Sequence, residues 1–72
     1  MQLSETLKKT RQKAFLSQEE FANILNVSVS TINRWENGKV RPNLSAMKNI
    51  KLFCEKNNLP YDEIETKWFD YS

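Results

Sequence analysis

Residues that end helices are the strongest constraint on the fold of this chain, because they divide it into short segments. Across 72 residues there is one glycine, Gly38, and there are two prolines, Pro42 and Pro60. Glycine favours the position just after a helix, and proline is tolerated in its first turn. The hydrophobic periodicity between these breaks predicts a single all-α domain without a sheet, with helices at about 4–14, 17–25, 28–37, 43–56 and 60–69.

The second helix begins with the clearest local signal. Ser17 and Glu20, in the run SQEE, form the pattern of a capping box, in which each side chain bonds the backbone N–H of the other residue. Leu16 and Phe21 are spaced for a hydrophobic staple across that cap. Asn26 can adopt the left-handed conformation that closes a helix.

The stretch from Asn26 to Gly38, NVSVSTINRWENG, carries conflicting signals. Its first half is rich in β-branched residues, which is typical of a strand. However, Ser28 is a good N-cap and Gly38 a good helix terminator, and these outweigh a weak local propensity. We therefore predict a helix with Ile32, Trp35 and Glu36 on one face. Its other face carries Val29, Ser30, Asn33 and Arg34.

Composition excludes several classes of protein. One cysteine, Cys54, and no histidine leave no disulfide framework and no Cys/His zinc cluster, so we predict no metal and no cofactor. Cys54 is expected to be a small core residue. No apolar run approaches a membrane span and no signal-peptide pattern is present, so a soluble, cytoplasmic protein is expected.

Charge is distributed unevenly along the chain. Residues 1–56 carry ten Lys/Arg and five Asp/Glu, whereas residues 57–72 carry one lysine and four Asp/Glu. A basic body favours a polyanionic partner such as nucleic acid, and the end of the chain is acidic.

The run SQEEFANILNVSVSTINRWENGKVRP resembles the helix-turn-helix of lambda-repressor-like, Xre/Cro-type DNA-binding domains. The resemblance extends over about Leu3 to Ile64. It implies a compact five-helix fold in which helices 2 and 3 form the motif and helix 3 enters the major groove of double-stranded DNA. Its most specific parts are Gln18, the Phe21-Ala22 pair, Val27, Ile32 with Trp35, and ENGKVRP.

The same resemblance implies roles for individual residues. The base-reading positions are Val29, Ser30, Asn33 and Arg34. The phosphate-contacting positions are Gln18, Thr31, Asn37, Lys39 and Arg41. Arg11 and Glu36 match a partly buried structural ion pair that links helix 1 to the end of helix 3.

Two residues depart from the family pattern. Phe15 and Asn26 stand where the family commonly has glycine. Asparagine tolerates a positive φ angle, whereas phenylalanine does not. We therefore expect the turn after helix 1 to have a different shape.

The fifth helix carries an aromatic stripe with two interpretations. Tyr61, Ile64, Trp68 and Tyr71 recur at spacings of 3, 4 and 3, like the a and d positions of a coiled coil. The stripe either closes the core of the monomer or forms a homodimer interface.

Two functions are consistent with these sequence features. The first is a sequence-specific DNA-binding regulator, most simply a homodimeric repressor that reads two half-sites. The second is an antitoxin or adaptor-type protein-interaction module, with the acidic aromatic C-terminal segment as the surface for a protein partner. We do not expect an enzyme, since no histidine, activated cysteine or paired carboxylate is evident.

Overall fold

A computed structural model describes residues 2–71 of the protein. This range contains five α-helices and no strand: α1 (Leu3–Lys13), α2 (Gln18–Leu25), α3 (Val29–Glu36), α4 (Leu44–Lys56) and α5 (Asp62–Phe69). The predicted all-α, five-helix class is confirmed. None of the helices in residues 2–71 has the length and apolar character needed to cross a membrane.

All five helices contribute to one hydrophobic core. α2 packs against α3 and α4, and α1 packs against α3 and α5. The rings of Phe21 and Phe53 meet edge to face at the centre, with centroids 5.1 Å apart. The other fully buried large side chains include Leu7, Leu25, Ile32, Ile50 and Ile64.

Side chains that cap the helices set where they begin. The Ser17 hydroxyl accepts from the Glu20 N–H at 3.0 Å, and the Glu20 carboxylate accepts from the Ser17 N–H at 2.8 Å, so the predicted capping box is present. At α3 the Ser28 hydroxyl accepts from the Thr31 N–H, and at α4 the Asn43 side chain accepts from the Ala46 N–H. α1 begins at Leu3, so Ser4 lies in its first turn and does not cap it, and α5 begins after Pro60, at Asp62.

Four helices end with one backbone motif. A residue just after the helix adopts a positive φ angle: Phe15, Asn26, Gly38 and Asn58 fill this left-handed position after α1, α2, α3 and α4. After α1 the Phe15 N–H donates to Gln12 O, and the Leu16 N–H donates to Arg11 O. These paired bonds define the Schellman motif, which satisfies the last carbonyls of a helix.

The turn after α1 does not have the different shape that we expected from the phenylalanine at position 15. Phe15 has a φ angle of 58°, close to the 59° of Asn26, so the turn keeps the left-handed shape despite the phenylalanine. The ring of Phe15 is 93% exposed. The hydrogen bonds of the motif, together with the packing of Leu16 against the core, override the local preference of a phenylalanine residue.

Two residues of the aromatic stripe on α5 lie in the core of the monomer, which is one of the two interpretations that the spacing allowed. Ile64 is buried and Trp68 is only 9% exposed, and both belong to the core of the monomer. The Trp68 indole N–H also donates to Pro42 O at 2.6 Å. Tyr61 packs partly against the same core, whereas Tyr71 lies at the surface. Ile64 and Trp68 are thus unavailable to a second subunit.

Candidate functional site

The connection between α2 and α3 determines which face of α3 is exposed. Asn26 turns the chain at the end of α2, and Ser28 caps α3 only two residues later. Ala22 on α2 and Ile32 on α3 are both buried where these two helices pack. With Ile32 and Trp35 facing the core, the opposite side of α3 is left in solvent.

Five of the residues singled out from the sequence line one shallow, open depression of about 490 Å³. It contains the N-terminal residue of α2 and the exposed face of α3. No carboxylate is among its lining side chains, and Arg34 supplies a positive charge. The lining residues are Gln18, Val29, Ser30, Asn33 and Arg34.

A bidentate ion pair lies behind this depression. Arg11 Nε donates to Glu36 Oε2 at 2.8 Å, and Arg11 Nη2 donates to Glu36 Oε1 at 3.0 Å. Arg11 Nη1 also donates to Leu16 O at 2.8 Å. The hydrogen bond to Glu36 raises the pKa of Arg11. The guanidinium therefore connects α1, the turn before α2 and the end of α3.

Gln18 adds α2 to this network. Its side-chain Nε2 donates to Glu36 Oε1 at 3.0 Å. The Glu36 side chain, 4% exposed, thus accepts from Arg11 and Gln18 together. A charge that is paired and bonded in this way presents little negative field to an anionic ligand. The bond from Gln18 to Glu36 was not anticipated from the sequence.

The remaining polar residues around α3 are coupled to one another. Asn37 Nδ2 donates to Asn33 Oδ1 at 2.9 Å, joining a predicted phosphate-contacting residue to a predicted base-reading one. The hydroxyls of Ser28 and Thr31 are 2.9 Å apart. The i, i+4 spacing of the two asparagines is the sequence signal that would have predicted their contact.

Lys39 occupies an unusual position at the end of α3. The equivalent residues after α1, α2 and α4 are Leu16, Val27 and Leu59, which pack against the core. Lys39 is exposed instead, although its N–H donates to Arg34 O at 2.9 Å as the motif requires. A mobile ammonium group on a fixed backbone is suited to contact an anion beside α3.

Arg41, a predicted phosphate-contacting residue, contacts Trp68 at the end of α5. Its Nη1 donates to Trp68 O at 2.7 Å, and its guanidinium carbon lies 4.1 Å from the centroid of the Trp68 ring. These contacts bind the guanidinium within the fold, since stacking on an aromatic face and a carbonyl bond are both favourable. A phosphate contact by Arg41 would have to replace these contacts.

The one thiol is not suited to chemistry. Cys54 is buried in the core, and this burial raises its pKa to about 11. Nucleophilic and metal-binding cysteines require the thiolate, which is scarce at neutral pH under these conditions. No group of three or more His, Cys, Asp or Glu residues that could hold a metal ion occurs within residues 2–71.

Comparisons with known proteins agree with this geometry. A model of the helix-turn-helix family matches residues 7–64. The chain is 40% identical over 53 residues to the HTH-type transcriptional activator BcrR of Enterococcus faecalis, an alignment that covers 74% of this chain and 26% of that protein. The chain thus spans about a quarter of the length of this relative. No solved structure matches significantly.

Proposed function

The chain belongs to the helix-turn-helix family, and we propose that it is a sequence-specific regulator of transcription that inserts α3 into the major groove of double-stranded DNA. The observation that carries the proposal is the depression shared by Gln18 and the outer face of α3. Its lining combines polar side chains with the apolar Val29, carries the positive charge of Arg34 and contains no carboxylate, which suits contact with an anionic duplex. An α-helix with its side chains is about 10–12 Å in diameter, so the major groove, about 12 Å wide, admits α3.

Each exposed side chain of α3 suits a particular contact. Arg34 is the candidate for a bidentate bond to guanine, and Asn33 has the amide that pairs with adenine. Val29 offers an apolar surface to a thymine methyl group, and Ser30 can bond to several bases. The Asn37–Asn33 bond orients the Asn33 amide before DNA binds.

Phosphate contacts flank this face. Gln18 stands at the N-terminus of α2, where backbone N–H groups attract anions. Thr31 lies in the first turn of α3, Asn37 caps its C-terminal end, and Lys39 follows two residues later. The Arg11–Glu36 pair keeps the nearby carboxylate from repelling the phosphates.

The base contacts are tested by selecting preferred duplexes from a random pool at moderate salt. Arg34→Ala should then relax the preference at one base pair and cost roughly 1–3 kcal/mol, whereas Lys39→Ala should weaken all sequences alike and lower the salt slope by about 1. Lys51→Ala is the matched control, since Lys51 lies beside the Tyr61 ring and away from α3. Failure of the wild type to bind any duplex at low salt contradicts the proposal.

The direction of regulation is a separate part of the proposal. We propose repression, because a protein bound across a promoter excludes polymerase without needing a further contact. The relative BcrR is named an activator, so the direction needs its own assay. A reporter with the selected site overlapping the promoter should fall on expression of the protein, and a rise contradicts repression. We also propose a cytoplasmic location, which holds for such a regulator in a cell without a nucleus.

The homodimer also remains a proposal, with a changed interface. Burial of Ile64 and Trp68 leaves Phe69, which is 71% exposed, as the large apolar side chain at the end of α5. Two copies would read half-sites about 34 Å apart. Sedimentation on DNA carrying inverted half-sites tests this, and Phe69→Ser should weaken cooperative binding. Binding of one copy per inverted pair contradicts the dimer.

The exposed Phe69 also favours the second candidate function, a protein-interaction module of the antitoxin or adaptor type. In that role the acidic C-terminal segment would contact a protein partner through Phe69 and Tyr71. Binding of DNA that is unchanged in Phe69→Ser, together with loss of a copurifying protein, supports this function.

A further inference from the structure

The end of α5 is held against the loop between α3 and α4 by reciprocal bonds. The indole of Trp68 donates to Pro42 O, while Arg41 of the loop donates to Trp68 O and stacks on the indole ring. The Tyr71 hydroxyl donates to Gly38 O at 3.2 Å. The loop and the end of α5 each supply both donors and acceptors, so several bonds join the two elements.

These bonds reach the backbone of Lys39. The peptide group between Gly38 and Lys39 is held at both ends: its carbonyl accepts from Tyr71, and its N–H donates to Arg34 O. The next residues, 40–42, take part in no main-chain to main-chain hydrogen bond within the described part of the chain. Contacts from α5 thus replace the backbone bonds that the loop lacks.

We propose that Trp68 and Tyr71 are positioning residues, which hold the α3–α4 loop so that Lys39 meets a DNA phosphate. This inference rests on the proposed DNA-binding function and deepens it. Trp68 is buried, and the Tyr71 hydroxyl is bonded to Gly38 O, so both act through the backbone around Lys39. A mobile loop no longer holds Lys39 beside its phosphate, so this contact, and the counterion release that accompanies it, are lost.

The first test uses the free protein. Trp68→Phe keeps an aromatic ring in the core but removes the donor to Pro42 O. We expect the backbone order parameters of Gly38 to Val40, measured by NMR, to fall from about 0.85 toward 0.6. Ile50→Val is the matched control, because Ile50 is buried in α4 and its truncation destabilises the fold without touching the loop.

The second test measures DNA binding by fluorescence anisotropy over a series of salt concentrations. Because Lys39 then no longer neutralises its phosphate, Trp68→Phe should bind the selected duplex roughly tenfold more weakly. The slope of log K against log salt should become shallower by about 0.9. Ile50→Val, at a temperature where it is folded, should keep the wild-type affinity and slope.

Arg41→Lys keeps the proposal testable if Trp68→Phe does not fold. Lysine retains the positive charge but lacks the planar guanidinium that stacks on Trp68. A positioning role predicts a mobile loop and a shallower salt slope, whereas a direct phosphate contact by residue 41 predicts an unchanged slope.

The outcomes separate this inference from the function on which it rests. A mobile loop together with a shallower slope supports the positioning role. An ordered loop in both variants overturns it, whatever the DNA result, and so does a mobile loop with wild-type affinity and slope. If the wild-type protein binds no duplex, the proposed function fails and this role fails with it, whatever the loop shows.

Discussion

Replacing Phe15 by glycine should stabilise the protein, although it removes a large apolar side chain. The backbone of Phe15 has a φ angle of 58°, a left-handed conformation that costs an L-residue roughly 1–2 kcal/mol. Its ring is 93% exposed, so little buried surface disappears with it. Glycine also gives the unfolded chain more conformational freedom, which lowers the free energy of unfolding by roughly 0.4–1 kcal/mol and offsets part of the gain.

The net gain is about 1 kcal/mol, which raises the melting temperature of a domain of this size by about 4–8 °C. Thermal unfolding followed by circular dichroism measures this shift directly. The hydrogen bonds of the motif, from the Phe15 and Leu16 N–H groups, are made by the backbone and are retained in the variant.

Two matched variants separate the sources of the gain. Phe15→Ala removes the ring but keeps the Cβ atom, so it should leave the melting temperature almost unchanged. Asn26→Gly relieves an equivalent φ angle of 59°, but asparagine tolerates that region better, so the gain should be smaller. If Phe15→Gly melts at or below the wild-type temperature, the argument from backbone strain is refuted.

Three further predictions concern other sites. Arg11→Met should lower the free energy of unfolding in urea by about 3–5 kcal/mol, because the buried Glu36 carboxylate loses its partner. The double variant Arg11→Met/Glu36→Leu should recover most of that loss, and equal losses in the two variants contradict the argument. Burial raises the pKa of Cys54 from 9.0 to about 11, so between these pH values the unfolded state binds fewer protons than the folded state. The free energy of unfolding should therefore fall as pH rises through this interval. Cys54→Ala should reduce this dependence on pH, and an unchanged dependence contradicts its assignment to Cys54. Hydrogen bonds from the backbone and side chain of Ser17 lower the pKa of Glu20, so this carboxylate stabilises the fold until pH falls through its folded pKa; Ser17→Ala should raise that pKa in an NMR titration, and an unchanged value contradicts the assignment.

Local chemistry was enough to predict the motif. The capping box at Ser17 and the caps at Ser28 and Asn43 depend on residues three positions apart, so they can be read from the sequence. The burial of Ile32 and Trp35 follows from helical spacing once the ends of α3 are set. The β-branched residues before them adopt the helix and not a strand, because packing against α2 supplies most of the stability of so short a helix.

The sequence was least informative where tertiary contacts decide. Phe15 keeps the left-handed turn because hydrogen bonds and the packing of Leu16 outweigh its own preference. The stripe on α5 has the spacing of either a core or an interface, and only the position of α5 against the loop shows Trp68 to be core. The same packing brings Arg41 onto Trp68, a contact between residues 27 positions apart that no local pattern reveals.

The network of Arg11, Glu36 and Gln18 has a consequence for how such a protein diversifies. Because these three side chains lock the first three helices together from behind, the orientation of α3 does not depend on the residues that it displays. The exposed residues of α3 can therefore be substituted without changing the orientation of the helix. On the proposed function, a descendant would acquire a new binding site on DNA by exchanging a few outward side chains, with no change to the buried contacts that hold the fold.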